Sequence, residues 1–571
     1  MKLNSILKIS ALASVMLVGC DDMFEPNIEN NRTFDAMLAE PLSIQGLIMN
    51  AYARFNDGGN YYSNRIHEDL ATSDFYENTG ESGWLLMGRN RWTAASNPVD
   101  KWGDVRECTQ YINMFLENVD KVQWAKEEND NEAFKKRLTG EAYALRGIHN
   151  YFFLRAHCGY VNGESTLMGV PLLLESETIN SDFNVSRQSF KTCLDQIFED
   201  LNKAIELLPE EYTGEDRVVG QRMNGRINSK IVKAVRSQVA LMAASPLYQG
   251  ASDISWKQAA DYAAELLQGH TIVENGNTWY KNTVEINSLR EGACPDEVLW
   301  RGDRSDNNDN GYESSCYPPS LEGNGNINPT QNLVDAFPMA NGYPISDPNG
   351  HYDAKNPYAN RDPRLDLYII HDGSNFRNTD ISTAEDSETK DGIDKENGKS
   401  TKTGYYLKKF LNDEVSVKSD SKNGRRHYKA RIRYTELFLN YAEAQNEAEG
   451  PMAGGSLGMS PYEIVSAIRK RGGITNDSYL ESIKSDKDKM RELIHNERRI
   501  ELMGENFRFW DLRRWQEPIS EPVKGIRINN KNGSKNVFVI DNLQYSNDMY
   551  FGPIPDTEVL KWSNLKQNKG W

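Results

Sequence analysis

The sequence predicts a mainly α-helical protein with a loop-rich irregular part and minor β structure. Three observations carry that reading. Apolar residues recur at steps of three and four through several long stretches of the first half. The same period returns near the C-terminus behind a helix-capping signature. Between the two, a long segment rich in Gly, Asn, Asp, Ser and Tyr loses the helical period altogether.

The chain opens with Lys2 and Lys8 and an apolar run from Ile9 to Val18, far too short to span a bilayer. The run ends at Leu17-Val18-Gly19-Cys20. A small residue before Cys, with Leu three positions ahead of it, resembles a bacterial lipobox. The resemblance implies a lipoprotein-type signal peptide over residues 1–19 and lipidation at Cys20. The rest, 20–571, reads as one body, with helices mainly in 33–250, a loop-rich insert at about 300–427 and a helical part over 428–571.

In order, Trp102 to Val122 and Leu138 to Cys158 read as long helices. From Phe190 the apolar positions run Cys193, Ile197, Leu201, Ala204 and Leu208, until Pro209 stops them. Ile227 to Ala244 follows, with Asn228 as N-cap. Long helices joined by short links suggest stacked hairpins of the tetratricopeptide (TPR) kind, although no strict repeat is present. Near the C-terminus, Ser460-Pro461-Tyr462-Glu463 is a capping box with Pro at the first helical position. It opens a helix through Arg471 that ends at Gly472-Gly473. Another runs from Asp486 to Met503 and stops at Gly504. Asn56 to Val99 and Asp303 to Asn423 read as long loops, which are commonly functional. Within the second, Thr379 to Ser400 is the most polar stretch and reads as mobile.

A chain of 571 residues exceeds what one hydrophobic core usually serves, so two packed lobes and one large helical body are both compatible with it. The formal net charge is −17, and losing Lys2 and Lys8 with the leader takes it to −19. That balance argues against a nucleic-acid partner and against a polybasic grip on anionic lipid. Of the five remaining cysteines, Cys158 and Cys193 fall in helical patterns as core residues, and Cys294 and Cys316 flank a loop and could pair.

Several motifs weaken on inspection. Gly454-Gly455-Ser456-Leu457-Gly458 has the spacing of a nucleophile elbow but lies between two helices, where no strand precedes it, and reads as a linker. Asp306 to Gly311 matches the opening of a calcium loop, yet the closing position holds Tyr317 instead of Glu, so a polar loop is expected and no metal site. The eight histidines form no metal motif, and no Walker loop or dinucleotide fingerprint is present, so no cofactor is expected. Glu497-Arg498-Arg499-Ile500-Glu501-Leu502 and Phe507 to Trp515 are dense in charge and aromatics. Anion binding by Arg508, Arg513 and Arg514 is one reading. The preferred one is a buried network in which Glu497, Glu501, Glu505 and Asp511 balance most of the arginines.

Ordered blocks along nearly the whole chain resemble the RagB/SusD family. They are Glu141-Ala142-Tyr143-Ala144-Leu145-Arg146-Gly147 with Tyr151-Phe152, Gly169-Val170-Pro171-Leu172, the Phe190 to Pro209 helix and Asp362-Pro363-Arg364-Leu365. Arg433-Tyr434 with Tyr441-Ala442-Glu443-Ala444, the Glu497 to Trp515 segment, Pro553-Ile554-Pro555 and Gln567-Asn568 follow. The resemblance implies a SusD-like fold with four TPR-like helix pairs in an outer-membrane lipoprotein facing the cell exterior. It implies a SusC-like TonB-dependent barrel as partner, over which the protein closes as a lid, and it supplies no catalytic residues.

It also implies that the sugar platform comes from the loop before the Trp102 helix and from the central loop. Those loops hold Asp69, Asp74, Tyr76, Trp84, Arg89 and Trp92, then Tyr312, Cys316 and Tyr317. Trp84 is the first candidate, because it lies among Gly, Ser and Glu, with Asp69, Trp92, Tyr312, Cys316 and Tyr317 beside it. Arg361 and Arg364 read as structural. The expected function is oligosaccharide capture for a transporter, with β-fructan of the levan type as the expected glycan. A peptide-capturing lid of the RagB branch is the alternative, and a surface hydrolase ranks behind both.

Overall fold

The computed structural model describes residues 34–55, 65–281, 283–288 and 293–571; the leader and Cys20 lie outside the described residues. Six long helices dominate the described part of the first half: α1 (Pro41–Ala53), α2 (Trp102–Asn118), α3 (Glu128–His157), α4 (Phe190–Leu207), α5 (Ser229–Ala244) and α6 (Trp256–Leu267). The starts of α4, α5 and α6 are fixed by side chains that take up otherwise unpaired backbone N–H groups. The Ser189 hydroxyl accepts the Thr192 N–H at 3.0 Å and Asn228 accepts that of Ile231 at 3.0 Å. Ser255 and Gln258 cap α6 reciprocally. Each helix packs on the next along the chain, and one apolar core runs through them all. Helix α3 begins ten residues before the apolar period does. Its first turns are exposed or half-buried, and Glu128 and Asp130 sit favourably at the positive end of the helix dipole.

The C-terminal part holds α7 (Tyr434–Glu449), α8 (Pro461–Arg471), α9 (Lys487–Glu501) and α10 (Arg508–Arg514). The expected capping box is present, with the Ser460 N–H donating to Glu463 at 2.7 Å, and Gly504 ends α9's turn at φ +72°. Helix α7 lies between α6 on one side and α8 and α9 on the other. Every residue from Tyr434 to Asn446 is buried, so this helix shows no polar face and no amphipathic period.

Strand structure is limited to antiparallel pairs and never closes among the described residues. Those that bear on function are β1 (Phe75–Glu77), β2 (Val298–Arg301), β3 (Ile327–Pro329), β4 (Ala430–Arg433), β5 (Pro522–Asn529) and β6 (Ser534–Asn542). They pair as β1 with β3, β2 with β4 and β5 with β6. The loop-rich part builds its own apolar cluster, with Tyr317, Leu333, Phe337, Tyr368 and Tyr406 fully buried. The stretch from Thr379 to Ser400, mobile by composition, is packed down instead. Ile381, Ala384 and Ile393 are buried, and the Tyr406 hydroxyl donates to the Asp391 carbonyl at 2.9 Å.

Buried charge joins the two parts. Glu497 and Glu501 on α9 and Glu505 just after it receive cations from four distant segments. Arg364 binds Asp362 at 2.8 Å and Glu501 at 3.1 Å, and also Glu497. Arg433 binds Glu297 and Glu505, each at 2.9 Å; Arg471 binds Glu501 at 2.7 Å; Lys409 binds Glu505 at 2.8 Å. Burial alone would raise the glutamates' pKa. The guanidiniums of Arg471 and Arg433 outweigh it at Glu501, and Arg433 with Lys409 at Glu505, holding both at about 2. The preferred reading of the Glu497 to Trp515 block as structural therefore stands, but most partners come from outside the block. Only Asp511 pairs locally, with Arg498 at 3.2 Å and Arg514 at 2.8 Å.

Candidate functional site

A cleft of about 360 Å³ opens where the loop-rich part meets the helical body. Its aromatic lining comes from separate stretches of chain: Trp84, Trp279 with Tyr280, Tyr312, Phe410 and Tyr428. Trp279 and Tyr280 are buried as its floor, in edge contact at 5.7 Å. Phe410 lies 5.4 Å from Tyr280 and 6.2 Å from Tyr312, and Tyr428 lies 5.3 Å from Trp279, so these rings form one continuous group. Trp84 sits on a short helix, Gly83–Leu86, stacked on the His67 imidazole at 5.1 Å with planes 7° apart. Arg65, Glu77, Asp309, Asn326, His427 and Lys429 add polar groups.

Each ring is placed by polar anchors behind it. The His67 N–H donates to the Asn506 side chain at 2.8 Å, tying the Trp84 stack to the turn after α9. Phe410 has a left-handed backbone, φ +72°, which costs a bulky residue of order 1 kcal/mol or more. Its neighbour Lys409 holds it there by donating to the carbonyls of Glu501 and Met503, each at 2.9 Å, as well as to Glu505. Tyr312 lies on the helix Gly311–Cys316, which is pinned by Glu313 and Asp309 through His427. The His427 Nε2 to Glu313 distance is 2.9 Å and Nδ1 to Asp309 is 3.6 Å. Burial would lower the histidine's pKa, but its bonds to the two carboxylates win and raise it to about 10. His427 is thus an imidazolium at neutral pH.

Three polar atoms of cleft-lining residues, Trp279 Nε1, His67 Nδ1 and the Tyr280 hydroxyl, are buried without a hydrogen-bond partner among the described residues. Burial, together with the Arg65 charge, lowers His67 to about 4, so its ring is neutral. Such atoms are costly to leave unpaired. Two carboxylates lie on the cleft. Asp309 is lowered to about 2 by its bond from His427, the opposite of the raised acid that glycoside cleavage needs, and Glu77 accepts the Ser82 N–H at 3.0 Å.

Of the residues singled out from sequence, Trp84, Tyr312 and Cys316 meet at this cleft. Cys316 is a buried wall residue whose thiol burial pushes up to about 12. The others have interior roles. Trp92 packs against Phe509, Tyr545 and Trp571 and gives its indole N–H to Asn97 at 2.8 Å. Tyr317 is fully buried, its hydroxyl 2.6 Å from the Asn412 carbonyl and 3.1 Å from that of Val415. Asp69 accepts the backbone N–H groups of Asn506 and Arg508, both at 3.1 Å, at the start of α10. Asp74 is held by Arg499, and Arg89 pairs with Asp541 at 2.9 Å. Arg361 donates to the carbonyls of Pro357, Val334 and Phe337, a structural role as expected. Sequence reasoning missed Trp279, Tyr280, Phe410 and Tyr428. The Gly276-Asn277-Thr278 run before Trp279 has the same composition as the Trp84 loop and was the available signal.

The remaining motifs are structural. Asp306 accepts the Asn308 N–H at 2.8 Å and Asp309 that of Gly311 at 3.0 Å, so the calcium-like loop spends its carboxylates on its own turns. No group of three or more metal-ligating side chains is present among the described residues. Ser456 lies in a turn and donates to Asp261 at 2.8 Å. Cys108, Cys158, Cys193 and Cys316 are free thiols, so Cys294 and Cys316 do not pair.

Residues 296–571 match the model of the SusD family, and residues 25–224 match one described as starch-binding and associating with the outer membrane. A relative, SusD-like protein P25 of Formosa agariphila, is 23% identical over 505 residues, spanning 79% of this chain and 80% of its own. Among solved structures, a SusD-like protein of Bacteroides fragilis superposes with a TM-score of 0.71 at 24% identity, covering 94% of this chain and 99% of that one. A second from the same species, described as a SusD-like carbohydrate binding protein, gives 0.71 at 20% identity over 93% of this chain and 100% of its own. These likenesses concern the fold.

Proposed function

The chain belongs to the SusD/RagB family, and from that premise we propose that it captures oligosaccharide in the cleft around Trp84 and hands it to a SusC-like TonB-dependent barrel. In this reading Cys20 carries the lipid anchor, the protein faces the cell exterior, and it acts as a lid with no catalytic step of its own. No helix among the described residues is long and apolar enough to cross a membrane. The observation that carries the reading is the cleft itself. Aromatic rings gathered from distant segments surround an open, polar-edged space, which is what a sugar with apolar C–H faces and hydroxyl edges needs. Each aromatic contact is worth about 0.5–1.5 kcal/mol beyond area burial, so a few of them give the modest affinity that suits a carrier obliged to release its cargo.

The test is calorimetry of the mature chain, with Cys20 removed, against levan, inulin, starch, xylan, pectin, mucin glycans and a peptide digest. Levan heads the panel as the expected β-fructan. Heat with a glycan supports capture and names its class. Heat only with peptide moves the cleft to the peptide branch, and silence with every ligand overturns binding by the isolated protein.

A further inference from the structure

A second hollow, of about 540 Å³, opens on the surface and shares no lining residue with the Trp84 cleft among the described residues. Its wall joins the turn after Tyr160, the segment Asn547 to Phe551, and Asn568 with Lys569. The end of the chain holds these pieces together. The buried Asn568 amide nitrogen lies within hydrogen-bond distance of the carbonyls of His157 at 3.0 Å, Cys158 at 3.1 Å and Gly552 at 2.7 Å. The Lys569 N–H donates to the Tyr160 carbonyl at 2.7 Å. Position 159 must be glycine, because the Asn568 amide fills the space of a Cβ. The hollow is therefore set on folding, before any ligand arrives.

Tyr160, Tyr550 and Phe551 on this wall stay half-exposed. Phe551 meets Tyr160 edge-on at 5.7 Å and is backed by buried Tyr248 at 6.5 Å. The Tyr550 hydroxyl donates to the Glu517 carbonyl at 2.9 Å. The rings are thus braced by the protein without being covered. Asn162, Asn547 and Gln516 border the same hollow, are exposed, and make no side-chain hydrogen bond among the described residues. Gln516 sits just past the end of α10 in a left-handed backbone, φ +57°. Its N–H bonds the Arg513 carbonyl at 2.9 Å and that of Glu517 bonds Leu512 at 3.0 Å, a helix closure that usually employs glycine. Gln there carries a strain that Gly would not, and strain of this kind gathers at binding sites. The carboxylates on the wall are already matched: Glu164 by Lys566 at 3.2 Å and Asp548 by Lys569 at 3.3 Å. A ligand here needs no charge. An amide offers a donor and an acceptor together, as a sugar hydroxyl does, and aromatic rings take up C–H surfaces.

We propose that this hollow is a second binding site for a neutral glycan, so that one chain holds a long polysaccharide at two separate places. Two holds on one polymer raise retention through effective concentration, even where each alone is weak. The site rests on the reading of the cargo as a glycan and not on the Trp84 cleft, and the test separates the two.

Electrophoresis of the mature chain, with Cys20 removed, through gels containing starch, levan or xylan reads retention on long chains. The double variant Asn162→Ala with Gln516→Gly removes two amides and relaxes the backbone at 516, so it should unfold no earlier than the parent. In the gel that retards the parent, its apparent Kd should rise roughly fivefold or more, and further when Trp84→Ala is added. Loss in the double variant with no change in Trp84→Ala keeps this site and sinks the cleft. Retention unchanged in the double variant overturns the proposal, as does complete loss in Trp84→Ala alone. Retardation by none of the three gels overturns it together with the cleft. If the double variant does not fold, Tyr160→Ala is read in the same gels by the same criterion.

Discussion

Replacing Trp84 with Ala separates a binding platform from a packing residue. The indole is half-buried, and His67 covers one of its faces at 5.1 Å. Trp84 also lines the cleft, and its accessible part there is what a sugar would meet. Losing one aromatic contact of about 0.5–1.5 kcal/mol corresponds to a roughly 2- to 12-fold rise in Kd. Truncating a fully buried Trp costs about 3–5 kcal/mol of stability, so a half-buried one should cost roughly half of that, which a domain of ordinary stability survives. The assay is paired: calorimetry with the glycan found in the panel, and thermal unfolding of the same samples. Trp84→Phe should recover much of the stability and part of the affinity. A folded Trp84→Ala protein whose Kd is unchanged would refute the reasoning, because it would show that the exposed face carries no cargo.

Three further outcomes follow from the same geometry. Arg433→Met removes the cation shared by Glu297, Glu501 and Glu505 and should cost about 3–5 kcal/mol in urea unfolding, whereas Arg527→Ala at the exposed pair with Asp394 should cost under about 1 kcal/mol. His427→Gln should lose roughly 2–3 kcal/mol at pH 6, because the charge-assisted bond to Glu313 at 2.9 Å becomes a neutral one and the 3.6 Å ion pair with Asp309 is lost. Because the folded pKa of His427 is raised to about 10, its contribution is complete below the unfolded value near 6.5 and fades as pH rises toward 10. The gap between variant and parent should therefore close over that window in unfolding curves. Asp69→Ala should destabilise α10 by about 1–2 kcal/mol through the two N–H groups it leaves unpaired, while glycan affinity in the folded protein stays within twofold; a larger loss would return Asp69 to the binding site.

The helices were legible where a cap or a stop marks an apolar period, as at Phe190 to Pro209 or between Ser460 and Gly472. Helix α7 was not, because burial on all sides removes the polar face that makes a period visible. Charge balance within Glu497 to Trp515 correctly pointed to a buried network. It could not show that Arg364, Arg433, Arg471 and Lys409 supply the partners, since no local pattern records which distant segments meet. The candidate site divided for a similar reason. Composition marked the loops holding Trp84 and Tyr312 and the family resemblance pointed to them as the platform, but neither says which way a side chain turns. Trp92 and Tyr317, in the same loops, point inward to Asn97 and Asn412.

The cleft is also where the network and the loops need each other. Its rings come from segments separated by up to several hundred residues, so no local element can hold them at fixed spacing. What does is the charged core behind them. Lys409 is clamped to the α9 end by Glu505, and that clamp carries Phe410 in a backbone conformation it would not adopt alone. Asn506, next to Glu505, anchors His67 and with it the Trp84 stack. Both walls therefore take their position from one short turn, Glu505 to Asn506. An aromatic platform worth only a few kcal/mol to its cargo cannot afford to organise itself at the moment of binding. The cost of fixing it is met on folding, by burying charges that contribute little net stability but leave the rings one place to stand.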